Sequence, residues 1–344
     1  VSAAEFTRTF DDCVARLTAI QRRPPESCTL LTLTASRAGQ RLTHHFGPRA
    51  DAGADIRSLS KLVTVLTLGA AAARGAALAG TEPLRLDHPL GPLLRVALPT
   101  LGFHPAGRWD RVTVRHLLSS TTGHEHGFLF RSDAAHLIER TETDPTALLR
   151  HLADQPLTHE PGTHFAYSNA GYYLLSALIT ELTGRTLADW TGDLLLGPLN
   201  IPPQTWTWRH DGPYPAAATG LRLTPDHLHR IADLLRRDGR HHDERLVDAD
   251  WMRELTTPQV VPPPTPADPT DPLPRAAYGL GVWLCGDGRF YAEGTDGQYL
   301  VLDPATHTAV TVTALRADPT AMAAIRRALG PLTGPGRPGP STLG

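Results

Sequence analysis

Asp55-Ile56-Arg57-Ser58-Leu59-Ser60-Lys61-Leu62-Val63-Thr64-Val65-Leu66 is the stretch on which the reading of this chain turns. Lys61 is the only lysine among 33 basic residues; all the others are arginines. A guanidinium stays protonated at any working pH, whereas a desolvated lysine can lose its proton and act as a base. A chain that uses arginine everywhere else and lysine here points to chemistry that arginine cannot perform. Small and straight-chain residues continue to about Leu78 and predict a buried helix with Ser58 near its first turn. Ser58 and Lys61 are three apart, so they share a helix face and lie within reach of each other. The backbone amides at a helix start point toward negative charge that develops beside them. A hydroxyl, an amine that can take its proton and a partial positive field together describe an activated serine. A serine that merely caps the helix is the competing reading, and S-x-x-K alone does not exclude it.

Composition narrows the function classes. With 344 residues, 41% apolar, 20% charged and a formal net charge of -2, the chain has the composition of an ordinary globular protein of one large or two coupled domains. It has no basic excess to release phosphate counterions, so nucleic acid is not an expected partner. Cys13, Cys28 and Cys285 are odd in number and far apart, which predicts buried reduced thiols, with no disulfide framework and no zinc cluster. No apolar run approaches the ~18–20 residues of a membrane span. The N-terminal stretch reads as an amphipathic helix carrying Glu5, Asp11 and Asp12, without the basic and apolar regions of a secretory signal. A cytoplasmic location is the expectation, with no membrane partner.

Outward from the central stretch, Thr29–Thr34 and Gln40–Phe46 flank Ser36-Arg37-Ala38-Gly39 and read as a β-hairpin. Residues 60 to about 200 are helical in pattern, clearest at 170–183, where Gly184 ends the run. From about 275 the pattern changes to strands at Tyr278–Leu284, Arg289–Glu293, Gln298–Leu302 and Ala309–Leu315, followed by a helix over Ala321–Leu329. The expected fold class is α/β (α+β), an antiparallel sheet built from both chain ends with helices inserted between. One catalytic domain over 1–330 is expected, with sheet portions at about 1–57 and 275–330 and a mainly helical portion at about 58–255. Pro258 to Pro274 is too proline-rich for a helix or central strand and reads as a stiff loop, either a rim over the site or a plain linker. Residues 331–344 read as a flexible tail.

Tyr167-Ser168-Asn169 follows Pro161-Gly162-Thr163-His164-Phe165-Ala166 and immediately precedes the 170–183 helix. With Ser58-Leu59-Ser60-Lys61, these residues make the chain resemble the serine β-lactamase and penicillin-binding-protein superfamily, on its class C side. Family VIII carboxylesterases and 6-aminohexanoate-dimer hydrolases belong to the same branch. The resemblance implies that Ser58 is the acylated nucleophile, that neutral Lys61 takes its proton, and that Tyr167 relays a proton to the leaving group. Asn169 would hold Lys61 or the substrate. The superfamily's third motif carries Lys or His, a small residue and Gly; here Tyr291-Ala292-Glu293-Gly294-Thr295-Asp296-Gly297-Gln298 has alanine in the cationic place. By the same resemblance, the amides of Ser58 and Thr295 form the oxyanion hole, and Ala292, Glu293, Gly294 and Gln298 contact the substrate. The missing cation predicts that acidic substrates are disfavoured unless an arginine such as Arg222 or Arg275 reaches the spot.

His124-Glu125-His126 and His241-His242-Asp243-Glu244 lack the helical spacing and third ligand of a metal site and read as solvated loops. No cofactor or metal is expected. Three functions are consistent with the residues. A serine hydrolase would cleave an ester or small amide through an acyl-enzyme. An acyltransferase or peptide cyclase of a biosynthetic pathway would deliver the same acyl group to an amine or alcohol. A silent binding protein on this fold is disfavoured by the presence of Ser58, Lys61 and Tyr167 together. Oligomeric state is not indicated.

Overall fold

The hairpin expected near the N-terminus forms, and its turn explains its register. Strands β1 (Cys28–Arg37) and β2 (Gln40–His45) are joined by Ala38 and Gly39, both with positive φ (49° and 83°). Two consecutive left-handed residues give the tight turn whose twist matches antiparallel strands, and Arg37 pairs with Gln40 directly across it. A computed structural model describes residues 2–22, 28–80, 82–101, 107–264 and 270–334.

The N-terminal helix α1 (Ala3–Gln21) buries Phe6, Phe10, Cys13, Leu17 and Ile20 along one stripe, and Ser2 caps it through the Glu5 amide. After the hairpin come α2 (Ser60–Ala73), α3 (Ala170–Thr183) and α4 (Pro225–Arg236). The remaining strands of the main sheet are β3 (Ala277–Tyr278), β4 (Trp283–Leu284), β5 (Phe290–Gly294), β6 (Gln298–Asp303) and β7 (Thr308–Ala317), and α5 (Pro319–Leu329) follows. The seven strands form one antiparallel sheet in the order β3-β4-β5-β6-β7-β1-β2. Strands from the two chain ends therefore pair inside the sheet, one strand from its β2 edge, with Cys28 opposite Ala317 and Arg37 opposite Thr308. Helices α1 and α5 pack on one face and α4 on the other, which is why β1 is buried almost throughout while the edge strand β2 is not.

A separate core of the helical portion surrounds α2 and α3, each buried for most of its length. Each fully buried Leu, Ile or Val there contributes roughly 1.5–3 kcal/mol relative to exposure, so α2 is fixed as a rigid axis of the molecule. The three cysteines are free and buried, as expected, and burial pushes the Cys13 and Cys285 thiols up to about 12 and Cys28 to about 11. Among the described residues no helix is long and apolar enough to cross a membrane.

Three expectations change. The helix through Lys61 ends at Ala73 instead of continuing to about Leu78. The single strand expected over 278–284 is two short strands, because the chain doubles back through Gly279–Val282, where the Gly279 amide bonds the Val282 carbonyl. The flexible tail expected from 331 does not begin there. Gly330–Thr333 form a helical turn in which Leu332 and Thr333 are buried, held by Arg37 on the Leu332 carbonyl and Arg289 on the Thr333 hydroxyl. The rest of that expectation, 335–344, lies outside the described residues.

Candidate active site

Ser58 stands in a 3-10 turn, Arg57–Leu59, that leads directly into α2. Its neighbour Ser60 is wholly buried, donates to the Arg57 carbonyl (2.7 Å) and accepts from the Leu221 amide, so it braces the turn, while Ser58 borders a cavity. Arg57 has the left-handed φ of 54°, a costly conformation for a residue that carries a Cβ. Asp55 compensates by accepting from the Arg57 amide (2.8 Å) and its guanidinium (3.1 Å), and Asp296 takes the other side of the guanidinium at 2.8 Å.

Asp296 belongs to the β5–β6 turn that also carries Thr295, so the Arg57–Asp296 pair ties the Ser58 turn to the Thr295 turn. Gly294 lets those turns touch: a Cβ there would stand 2.6 Å from the Ile56 carbonyl oxygen and 2.7 Å from Arg57 Cβ. Sequence reasoning missed the Arg57–Asp296 pair, since residues 239 apart carry no joint signal. If the pair positions the two amides, Asp296→Ala should lower kcat by about 10–100-fold with KM little changed, the scale of a small misplacement near reacting atoms. Its ion pair is about 30% exposed on each side, so the melting temperature should move little. Steady-state kinetics beside a thermal melt reads both.

Lys61 is fully buried. Its Nζ lies 2.7 Å from Asn169 Oδ1, 3.4 Å from the Ala218 carbonyl oxygen and 3.5 Å from Ser58 Oγ. The rings of Tyr167 and Tyr172 close the remaining sides at 4.6 and 5.6 Å. Burial, with no carboxylate opposing it, pushes the ammonium down from 10.5 to about 7. A neutral amine has two N–H groups and one lone pair; Asn169 and Ala218 accept the hydrogens, and the lone pair is left for the Ser58 hydroxyl. Asn169 is itself held by donating to the Leu129 carbonyl at 2.9 Å.

Tyr167 leaves the backbone between Ala166, bonded to the Ser120 carbonyl, and Asn169, bonded to the Phe128 carbonyl. Its ring is stacked on Trp283 (5.9 Å, 21°) and Phe130 (6.3 Å, 11°) and set edge-on to Tyr278 (5.9 Å). Burial raises the phenol's pKa above its ordinary value, opposed by its hydrogen bond with Ser58 and the charge of Arg275. Ser168, between them, is spent on Phe128 backbone groups.

Ser58, Tyr167 and Thr295 open on one cavity of about 890 Å³. Phe165, Trp283 and Met322 supply apolar wall, and Pro262, Pro263, Pro264 and Pro274 also line it. The proline-rich segment is thus a rim over the site, with 265–269 outside the described residues. Arg275 lies over the Trp283 ring at 4.3 Å and pairs with Glu293; Arg326 pairs with Asp271 and reaches Glu293 at 3.7 Å. All four charged residues line the cavity, two of each sign.

Of the four expected substrate contacts only Glu293 lines the cavity; Gly294 packs against Ile56 and Arg57, and the other two fall elsewhere. Ala292 is buried in the core, and Gln298 donates its side-chain amide to the Ala314 carbonyl and accepts from the Ala314 amide, bracing β6 against β7. Arg222 donates to the Gly53 carbonyl, leaving Arg275 as the one of the two arginines that reaches the cavity.

A family model described as Beta-lactamase matches residues 31–333. The chain belongs to the beta-lactamase family. That family consists of serine hydrolases, and the fold agrees with solved structures named for several of its branches. SurE with D-Leu superposes with a TM-score of 0.67 at 22% identity, covering 98% of this chain and 77% of that one. The octameric penicillin-binding protein homologue from Pyrococcus abyssi gives 0.66 at 18% identity, with 93% and 75% covered. EstCE1, a hydrolase with promiscuous acyltransferase activity, gives 0.63 at 17% identity over 96% and 100%. An N-acetylmuramyl-L-alanine amidase of Bacillus subtilis (strain 168) is 31% identical over 93 residues, which span 27% of this chain and only 21% of that protein.

Proposed function

We propose that this beta-lactamase family member is a serine acyl-enzyme hydrolase of a neutral ester or small amide. The observation that carries the reading is the buried Lys61, the chain's only lysine, 3.5 Å from Ser58 Oγ with both amine hydrogens taken up elsewhere. Neutral Lys61 accepts the Ser58 proton as Oγ bonds to the substrate carbonyl carbon. The oxygen's growing charge is met by the Ser58 and Thr295 amides. Tyr167 passes a proton to the leaving oxygen or nitrogen as that bond breaks, yielding the acyl-enzyme and a free alcohol or amine. Water then adds, loses its proton along the same path, and releases the acid and Ser58.

The rate should follow Lys61 ionisation. Only the neutral amine is competent, so kcat/KM rises with pH and levels off above about 7, where burial sets the amine. At one pH unit below that value roughly a tenth of the enzyme is competent. A profile flat from pH 5.5 to 8.5 removes Lys61 as the base.

Arg275 and Arg326 are already matched by Glu293 and Asp271, so a substrate carboxylate would have to displace an existing partner. Neutral esters should be preferred over carboxylate-bearing analogues by about tenfold or more, the factor for one unrecovered charge-assisted hydrogen bond. Equal or better kcat/KM for the acidic analogue refutes this preference.

The second reading is acyl transfer to an amine or alcohol. The apolar, proline-walled cavity favours it, since such walls shelter an acyl-enzyme from water and leave room for an acceptor. The likeness to EstCE1, a hydrolase with promiscuous acyltransferase activity, makes the comparison natural. Intact-protein mass spectrometry with an ester panel, with and without amines, tests both readings. A Ser58 adduct that decays to acid supports hydrolysis, decay to amide supports transfer, and absence of any adduct across the panel counts against the acyl-enzyme.

A further inference from the structure

The chain around residue 125 and the chain around residue 160 run side by side, remote in sequence from Ser58. His124 and Leu157 form a β-bridge, the His159 amide bonds the Gly123 carbonyl (2.9 Å), and the Gly162 amide bonds the Thr121 carbonyl (2.8 Å). This frame sets Glu125 facing His159 and His164. A Glu125 carboxylate oxygen and one ring nitrogen from each histidine all lie within 4.8 Å of one another. The imidazoles are stacked 3.9 Å apart at 13°, His159 Nε2 is 2.6 Å from Glu125 Oε2, and Thr158 Oγ1 donates to the same oxygen at 3.3 Å. His164 Nε2 rests 3.0 Å from the Glu125 carbonyl oxygen. Among the described residues this is the one group of three such side chains. It differs from the clusters the sequence suggested: His124 turns inward beside Thr122, Trp109 and Phe128.

We propose that Glu125, His159 and His164 bind a Zn²⁺-type transition-metal ion that clamps these two segments together. Two imidazoles and one carboxylate form a borderline donor set that suits zinc or cobalt; calcium and magnesium require nearly all-oxygen shells. Ligand bonds of about 2.0–2.2 Å place tetrahedral donors roughly 3.4 Å apart, so loading the ion requires side-chain shifts of about an ångström on a fixed backbone. The Thr158 hydroxyl then orients the carboxylate from behind. Three protein ligands leave a fourth position to water. Downstream, the clamped segments continue into Phe128 and Leu129, whose carbonyls hold Asn169, and into Tyr167 itself. The ion therefore stiffens the frame that carries Tyr167 and Asn169 without touching the reacting atoms.

The test uses the untagged full chain, stripped with EDTA and titrated separately with Co²⁺, Zn²⁺ and Ca²⁺. One equivalent of Co²⁺ should give the visible absorption of a tetrahedral N/O site, bleached by one equivalent of Zn²⁺. Saturating Zn²⁺ should raise the melting temperature by roughly 3–8 °C, with Ca²⁺ giving none of this. His159→Ala/His164→Ala should lose both signals while keeping the metal-free melting temperature, and Glu125→Gln should bind at least about tenfold more weakly. His241→Ala/His242→Ala should leave both signals intact. No tetrahedral spectrum, an equal shift with Ca²⁺, or survival of the signals in the His159/His164 variant overturns the assignment.

Discussion

Ser58→Ala should form no adduct with a fluorophosphonate or an activated ester, and turnover should fall by roughly 10⁴–10⁶-fold, the scale seen when an acyl-enzyme nucleophile is removed. The folded state should be untouched, because among the described residues the Ser58 hydroxyl bonds only Lys61 and Tyr167 at the cavity's edge. Ser60→Ala is the matched control. It removes two buried hydrogen bonds that brace the Arg57–Leu59 turn, so it should cost about 1–3 kcal/mol of stability while the protein still becomes acylated. Labelled-peptide mapping distinguishes the two serines of the motif. Wild-type turnover in the Ser58 variant, or an adduct on Ser60, would show that the nucleophile is elsewhere.

Lys61→Arg should fail nearly as badly as Lys61→Ala, with losses of ~10²–10⁴-fold in kcat/KM, because arginine supplies the charge and cannot supply the lone pair. Stability moves in the opposite sense for an apolar replacement. The amine titrates near 7 when folded and near 10.5 when not, so between those values the unfolded chain carries a proton that the folded one lacks. Folding stability linked to this group therefore falls as pH drops from 10.5 to 7, by on the order of 5 kcal/mol in total, and is flat below that. Lys61→Met lacks that penalty, so it should melt higher than the wild type at neutral pH and show no turnover. Retained activity in the arginine variant would reduce Lys61 to a source of charge.

Elements whose signals are local were legible. The turn at Ala38-Gly39, the helix at 170–183 and the pairing of Ser58 with Lys61 all depend on residues within a few positions of each other, and they stand where the pattern put them. What the sequence concealed depends on distant partners. An apolar run from Tyr278 to Leu284 reads as one strand, but Gly281 takes a φ of 72° against Tyr172 and α2, and the strand breaks. Leu332 looks like part of a glycine-proline tail until Arg37, from the other end of the chain, bonds its carbonyl. The family resemblance makes Gln298 a substrate contact, yet the strand beside it consumes its amide. The charges that wall the cavity were equally hidden, since Asp271 and Arg275, Glu293, and Arg326 come from three separate segments.

The pairing of strands from both chain ends inside the sheet has a consequence in time. Arg37 bonds Thr308 across 271 residues, and β1 lies between the neighbouring hairpin strand β2 and the late strand β7. During synthesis at about 5–20 residues per second, the nascent chain waits roughly 15–55 s between delivering β1 and delivering the strand that covers its other edge. Throughout that interval Thr29-Leu30-Leu31-Thr32-Leu33-Thr34 offers an unpaired, largely apolar backbone edge to any passing strand. The helical portion, rich in local contacts, can collapse on the ribosome in the meantime; the sheet cannot close until its last long strand arrives. Yield of native protein should therefore depend on translation speed and chaperone supply more than on the stability of the finished fold.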